Sequence, residues 1–132
     1  MLFYLGNFIV MLVYDLLLLE KGLYSNIAVI GDKKVYEYLK QTLNTELVDI
    51  DFIEDFKDYT KNPRIYHRVI NGLKDVDYGR IYNSIHHQGW LVTLPEIYDY
   101  SLFQILEDKN FVAINETDKY ITAKRMHGWT IN

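Results

Sequence analysis

Asn26-Ile27-Ala28-Val29-Ile30-Gly31-Asp32-Lys33-Lys34 is the stretch from which the fold can be read. Ile27 to Ile30 is a short, unbroken apolar run with β-branched side chains, closed by a glycine. A strand covered on both faces reads this way, because neither side of it needs polar residues. Beyond the glycine, Val35, Leu39 and Leu43 recur at helical spacing, while Lys34, Glu37 and Lys40 fall elsewhere on the wheel. Residues 33–43 are therefore predicted to form an amphipathic helix, with Asp32 as its N-cap.

The same rhythm continues outward. Glu46-Leu47-Val48-Asp49-Ile50-Asp51 alternates as a second strand, and 64–71 offers a third that ends at Asn71-Gly72. Residues 77–87 carry Tyr78, Ile81, Tyr82 and Ile85 on one helical face and run up to Gly89, a helix stop. Trp90-Leu91-Val92-Thr93-Leu94 before Pro95 reads as a fourth strand. A helix at 99–107, a strand at 110–115 and a short helix at 118–126 complete the series. Parallel neighbours need crossovers of about a dozen residues, so strands alternating with helices predict an α/β domain. Its sheet should be mostly parallel, with helices on both faces. The 132 residues, 49% hydrophobic and 24% charged, suit one domain, with 26–126 as the α/β core.

Residues 1–25 precede that core. Within the first 19 only Gly6, Asn7 and Asp15 are not apolar, and the longest unbroken run, Phe8 to Tyr14, is seven residues. That is too short for a membrane span, and no Lys or Arg precedes Lys21 to make the basic start of a signal peptide. Gly6-Asn7 between apolar runs predicts an apolar strand or hairpin ahead of the core. Membrane contact or an intersubunit surface through residues 1–19 are the alternatives. The absence of Cys removes thiol catalysis, Cys-bound zinc, iron–sulfur ligation and disulfides, and fits a cytoplasmic setting. A net charge of -4 argues against nucleic acid as a partner.

In open α/β sheets ligands sit at the carboxyl ends of the strands, which directs attention to the loop after the first one. Gly31 permits a tight turn there, and the helix start behind it presents free N–H groups suited to a phosphate. A full Gly-x-Gly-x-x-Gly fingerprint would need two more glycines. Lys33 or Lys34 offers charge in their place, and Asp51 stands near the end of the second strand, where a ribose-binding carboxylate belongs. The plainer reading is a turn glycine, an N-cap and solvated lysines. Adjacent His86 and His87 on a helix point about 100° apart and chelate one metal poorly, so no metal site is predicted. Asp49, Asp51, Glu54, Asp55 and Asp58 read as a solvated loop and helix face, with a divalent cation site as a remote second reading.

Several strings from about residue 16 to residue 126 resemble the NAD-dependent precorrin-2 dehydrogenase and ferrochelatase family of sirohaem synthesis, whose domain is Rossmann-like. Leu19-Glu20-Lys21-Gly22 before Ile27-Ala28-Val29-Ile30-Gly31 is similar to its turn and first strand. Val69-Ile70-Asn71-Gly72-Leu73-Lys74-Asp75 followed by Arg80-Ile81-Tyr82 resembles its strand ending in Ala-Thr-Asp-Asp and the helix after it. Gly89-Trp90-Leu91-Val92-Thr93-Leu94 looks like its Gly-Ile-Leu-Val-Asn-Val strand. The family's Gly-Gly-Gly loop stands here as Gly31-Asp32-Lys33, and Glu96, with Asp99 after it, stands nearest to its catalytic aspartate. The resemblance implies NAD held by Gly31, Asp32, Lys33, Asp51, Asn71 and Gly72. It also implies Glu96 or Asp99 as proton acceptor or metal contact in the oxidation of precorrin-2 to sirohydrochlorin, with a tetrapyrrole substrate and a homodimer. The alternative is a non-catalytic Rossmann-like binding or dimerisation module without the glycine loop, in which Asp32 or Lys33 fills the cofactor space.

Overall fold

The structure is a computed structural model in which residues 25–43, 48–61, 65–116 and 120–125 are described. The strand or hairpin expected within residues 1–24 lies outside them.

Among the described residues the elements, in chain order, are β1 (Ser25–Ile30), α1 (Lys33–Thr42), β2 (Val48–Ile53), α2 (Phe56–Lys61), β3 (Tyr66–Asn71), α3 (Tyr78–Ser84), β4 (Ile85–Thr93), α4 (Leu102–Asp108), β5 (Val112–Glu116) and β6 (Ile121–Lys124), with a 3-10 turn at Pro95–Ile97. They form one six-stranded sheet in the order β2-β1-β3-β4-β6-β5. β2, β1, β3 and β4 pair in parallel, and β6 runs antiparallel between β4 and β5. The fold is the expected mixed α/β, Rossmann-like one.

Alternation along the central strands explains the layers. Ala28, Ile30, Val69 and Leu91 point to one side and pack with Tyr59 of α2, Tyr78 and Ile81 of α3 and Leu102 and Leu106 of α4. Ile27, Val29, Ile70 and Val92 point to the other and pack with Val35 and Leu39 of α1. Both faces are covered, which is why these strands read as continuous apolar runs. The start of α1 follows the sequence: the Asp32 side chain accepts the Val35 N–H at 3.0 Å. Asp77 caps α3 in the same way, accepting from Gly79 and Arg80 at 2.9 and 3.3 Å.

Three boundaries differ from expectation. β2 extends to Ile53, in register with Ile30, so Asp51 falls inside the strand opposite Ala28. The second predicted helix stops at Ser84, because Ile85 already has an extended backbone and pairs with Tyr66. The spacing of Ile81 and Ile85 carries the helical period past the real end. The Arg125 guanidinium closes that end by donating to the Tyr82 and Ile85 carbonyls at 3.0 and 2.9 Å. Gly89 is not a helix stop: a Cβ there would lie 2.5 Å from Ile85 and under 3 Å from the His86 and His67 carbonyls, so it allows close approach within β4. Third, the region read as a short helix at 118–126 contains β6. Ile121, Thr122 and Ala123 are all buried between β4 and β5, whose backbone groups need a partner there.

Candidate ligand site at the carboxyl ends of β1, β2 and β3

β1 leads to β2 on one side, and the chain then crosses to place β3 on the other side of β1. That reversal opens a crevice at the carboxyl ends, the usual ligand position in such sheets. The register aligns Ile53, Ile30, Asn71 and Thr93 in one row across the strand ends. The next residues tie the row together: Gly31 donates to the Ile53 carbonyl, Gly72 to that of Ile30 and Leu94 to that of Asn71, at 2.8, 2.8 and 2.9 Å.

Above this row lies an open cavity of about 660 Å³ lined by Glu54, Asp55, Phe56, Asp58, Leu73, Lys74 and Asp75. Its walls are the loop after β2 with the start of α2 and the loop after β3, so it straddles the end of β1. Four carboxylates face one lysine there, which favours a ligand of net positive charge and opposes an anionic one. Phe56 is half-buried and stacks on Tyr59 with ring centroids 5.4 Å apart.

Gly31 has φ +82, a conformation that favours glycine. A Cβ at Gly31 would lie 2.5 and 2.6 Å from Cγ and Cδ2 of Leu73, so the Leu73 side chain occupies the space directly over the turn. Its backbone is held by Asn71, which is fully buried. The Leu73 N–H donates to Asn71 Oδ1 at 3.1 Å, and Asn71 Nδ2 donates to the Leu73 carbonyl at 2.9 Å and to the Tyr78 hydroxyl at 3.0 Å. Burial pushes the Tyr78 phenol up to about 12, with the Asn71 hydrogen bond acting the other way. Tyr59, which hydrogen-bonds Ser84, is likewise pushed up to about 12 by burial.

The residues singled out from sequence are only partly brought together. Gly31, Asp32, Asn71 and Gly72 meet at the crevice floor; a Cβ on Gly72 would lie 3.2 Å from the Ile30 carbonyl and 3.4 Å from the Asp32 side chain. Asp32 is engaged as the α1 cap, and Lys33 is exposed on the first turn of that helix. Asp51 accepts the Tyr66 hydroxyl at 2.8 Å, two positions back from the strand end. Glu96 and Asp99 are exposed beyond the carboxyl end of β4. Ser101 donates its N–H and hydroxyl to Asp99, and these bonds, with the nearby charge of Lys74, hold the Asp99 carboxyl below its usual value. Sequence reasoning missed Glu54, Asp55, Asp58 and Leu73 as site residues. The one signal for the carboxylates was their clustering right after a strand. The His67 and His86 rings stack with centroids 4.9 Å apart, and His67 Nδ1 accepts the Asn26 N–H at 3.1 Å. Among the described residues no group of three or more metal-ligating side chains is placed to hold an ion, and no helix is long and apolar enough to cross a membrane.

No known protein-family profile matches the chain, and no curated protein matches it in sequence. Solved structures do. A phosphoethanolamine N-methyltransferase 2 of Haemonchus contortus, in complex with phosphomonomethylethanolamine and S-adenosylhomocysteine, aligns with a TM-score of 0.60 at 12% identity over 89% of this chain and 36% of its own. The CurJ carbon methyltransferase aligns at 0.58 and 10% identity over 79% of this chain and 49% of its own. The precorrin-6y C5,15-methyltransferase of Geobacter metallireducens aligns at 0.52 and 12% identity over 83% and 84%. The chain thus spans half or less of the first two. At such identities the likeness is one of fold.

These neighbours correct the dehydrogenase reading, for they are methyltransferases and the cofactors named with them are S-adenosyl compounds, not NAD. The strings shared with precorrin-2 dehydrogenases report doubly covered strands and the helices between them, a pattern of the layer arrangement and not of its cofactor. NAD also needs its pyrophosphate close to the first turn, where Leu73 lies and four carboxylates line the approach. The non-catalytic alternative gains no support either: Asp32 is taken up as the α1 cap and Lys33 is exposed on the first turn of that helix.

Proposed function

We propose that this chain is an S-adenosylmethionine-binding domain of the methyltransferase class, holding the cofactor across the carboxyl ends of β1, β2 and β3. The observation that carries the reading is the acid-lined cavity at the crossover point of a sheet shared with methyltransferases. S-adenosylmethionine carries a sulfonium and an ammonium against one carboxylate, so its net charge matches that lining.

The fit is good over one half of the ligand and tight over the other. The volume suits a nucleoside-sized ligand. Glu54 directly follows the last residue of β2, the position from which a carboxylate accepts the ribose hydroxyls. Phe56 offers a ring for the base to stack on. Over Gly31 the space is closed by Leu73 in its present rotamer, and a turn about its side-chain bonds is needed before the ligand reaches the glycine turn. Bound S-adenosylmethionine supplies a methyl group on a cationic sulfur; the residues above bind and orient it. A cytoplasmic location is proposed on the weaker ground of a sequence without Cys.

Calorimetric titration with S-adenosylmethionine and S-adenosylhomocysteine, with NAD as comparison, tests the reading. Saturable binding that Glu54→Ala weakens about tenfold, a loss of about 1.4 kcal/mol, is expected. Heat of binding from NAD alone, or none from either S-adenosyl compound at millimolar concentration, would contradict it.

A further inference from the structure

We propose that Leu73 decides which S-adenosyl ligands this site accepts, selecting short 5′ substituents over the full amino-acid arm; this rests on the nucleoside reading of the cavity given above. A nucleoside whose ribose is held at the end of β2 directs its 5′ substituent toward the first turn after β1. In this chain that turn is Gly31, and the side chain over it is Leu73, close enough to overlap a single added carbon. The side chain is at once the wall of the cavity and the cover of the turn.

What makes Leu73 a selector and not a passive wall is the way it is mounted. Its N–H and carbonyl are both bonded to the Asn71 amide, which is fully buried and braced by Tyr78. The loop therefore cannot retreat without breaking its two hydrogen bonds to a fully buried amide, and the side chain is the part that can move. It is half-buried and packs against the core cluster on the Ala28 and Ile30 face of the sheet, so swinging it out exposes apolar surface. A ligand with no 5′ arm leaves Leu73 in place. One with a long arm must hold it in its outward rotamer, and its apparent affinity falls by the fraction of time that rotamer is populated.

Affinities of adenosine, 5′-methylthioadenosine and S-adenosylhomocysteine for the intact protein, Leu73→Ala and Leu73→Met test this. Circular dichroism shows whether each variant is folded. In the native protein 5′-methylthioadenosine should bind at least as tightly as S-adenosylhomocysteine. Leu73→Ala should tighten S-adenosylhomocysteine about tenfold and leave adenosine within about threefold. Leu73→Met keeps the bulk on an unbranched, flexible chain and should give an intermediate gain, which carries the test should the alanine variant not fold. Equal gains for adenosine and S-adenosylhomocysteine, or no gain for the latter, would overturn the selector. Binding of none of the three by any variant would overturn the nucleoside site itself and the selector with it.

Discussion

β1, β3 and β4 lie within the parallel part of the sheet, with Val29, Ile70 and Val92 fully buried. On the other side of β4 the antiparallel pair β6 and β5 forms an edge, and four of the five residues of β5 are exposed. Among the described residues most of the exposed large apolar side chains lie toward this side too, Tyr98, Tyr100, Phe103 and Ile105 around α4 and Val112 on β5, with Ile65 ahead of β3 the exception. The two parts share one hydrogen-bonded sheet and differ in what each strand end does. In the parallel part the strand ends converge on a cavity, because crossovers bring three loops to the same side. A short antiparallel pair brings its connections to alternate sides and builds no such convergence. Function is therefore expected at the carboxyl ends of the parallel strands.

That comparison can be broken or sharpened by substitution. The largest effect is expected at Asn71. Asn71→Leu strands the Leu73 N–H and carbonyl and the Tyr78 hydroxyl, and should cost about 3 kcal/mol in a urea titration. A loss as small as that of an edge residue would show that the crevice loop is not anchored as described. Gly31→Ala forces a side chain into φ +82 and against Leu73, at about 2 kcal/mol. Leu73→Ala in the same chain should recover the contact part and leave the backbone part, so a double-mutant cycle should show clear coupling between the two positions. Independence of the two would mean that Leu73 does not sit on the turn.

Alkaline pH probes the same part of the molecule. Tyr59 and Tyr78 are pushed from 10.0 to about 12 by burial, so the folded state binds their protons more tightly than the unfolded state does. Their contribution is complete below pH 10 and is lost as pH rises toward 12, so the urea midpoint should fall through that window and Tyr78→Phe should flatten the fall. An unchanged midpoint between pH 10 and 12 would argue against their burial. Asp32→Ala removes the α1 cap at about 1 kcal/mol. Val112→Thr on the exposed edge should change stability by less than about 0.5 kcal/mol.

The parallel part is also the part that could be read from sequence. Ile27 to Ile30, Val69-Ile70 and Leu91-Val92 announce strands covered on both sides, and Asp32 announces the helix after Gly31, because each signal is local. β6 escaped that reading. Ile121-Thr122-Ala123-Lys124 alternates over four residues only, too short a run to mark a strand, and what makes it one is the gap between β4 and β5, which no local window contains. The site was half legible for the same reason. Gly31 and Asn71-Gly72 mark strand ends and were found. Glu54, Asp55 and Asp58 read as a solvated face until β3 crosses to the far side of β1 and turns their loop into a wall. Leu73 looked like any loop leucine, and its importance comes from what Gly31 leaves open beneath it. The dehydrogenase assignment failed because it was drawn from strand and helix strings, which the methyltransferase neighbours share as architecture.

The most direct test of the account is an amide chemical-shift map of the protein, titrated with S-adenosylhomocysteine. The shifts should be largest at Gly31, Glu54, Phe56, Leu73 and Lys74 and should leave Val112 to Glu116 and Ile121 to Lys124 unmoved. Shifts centred on β5 and β6, or none at saturating ligand, would contradict a nucleoside site at the carboxyl ends of β1, β2 and β3.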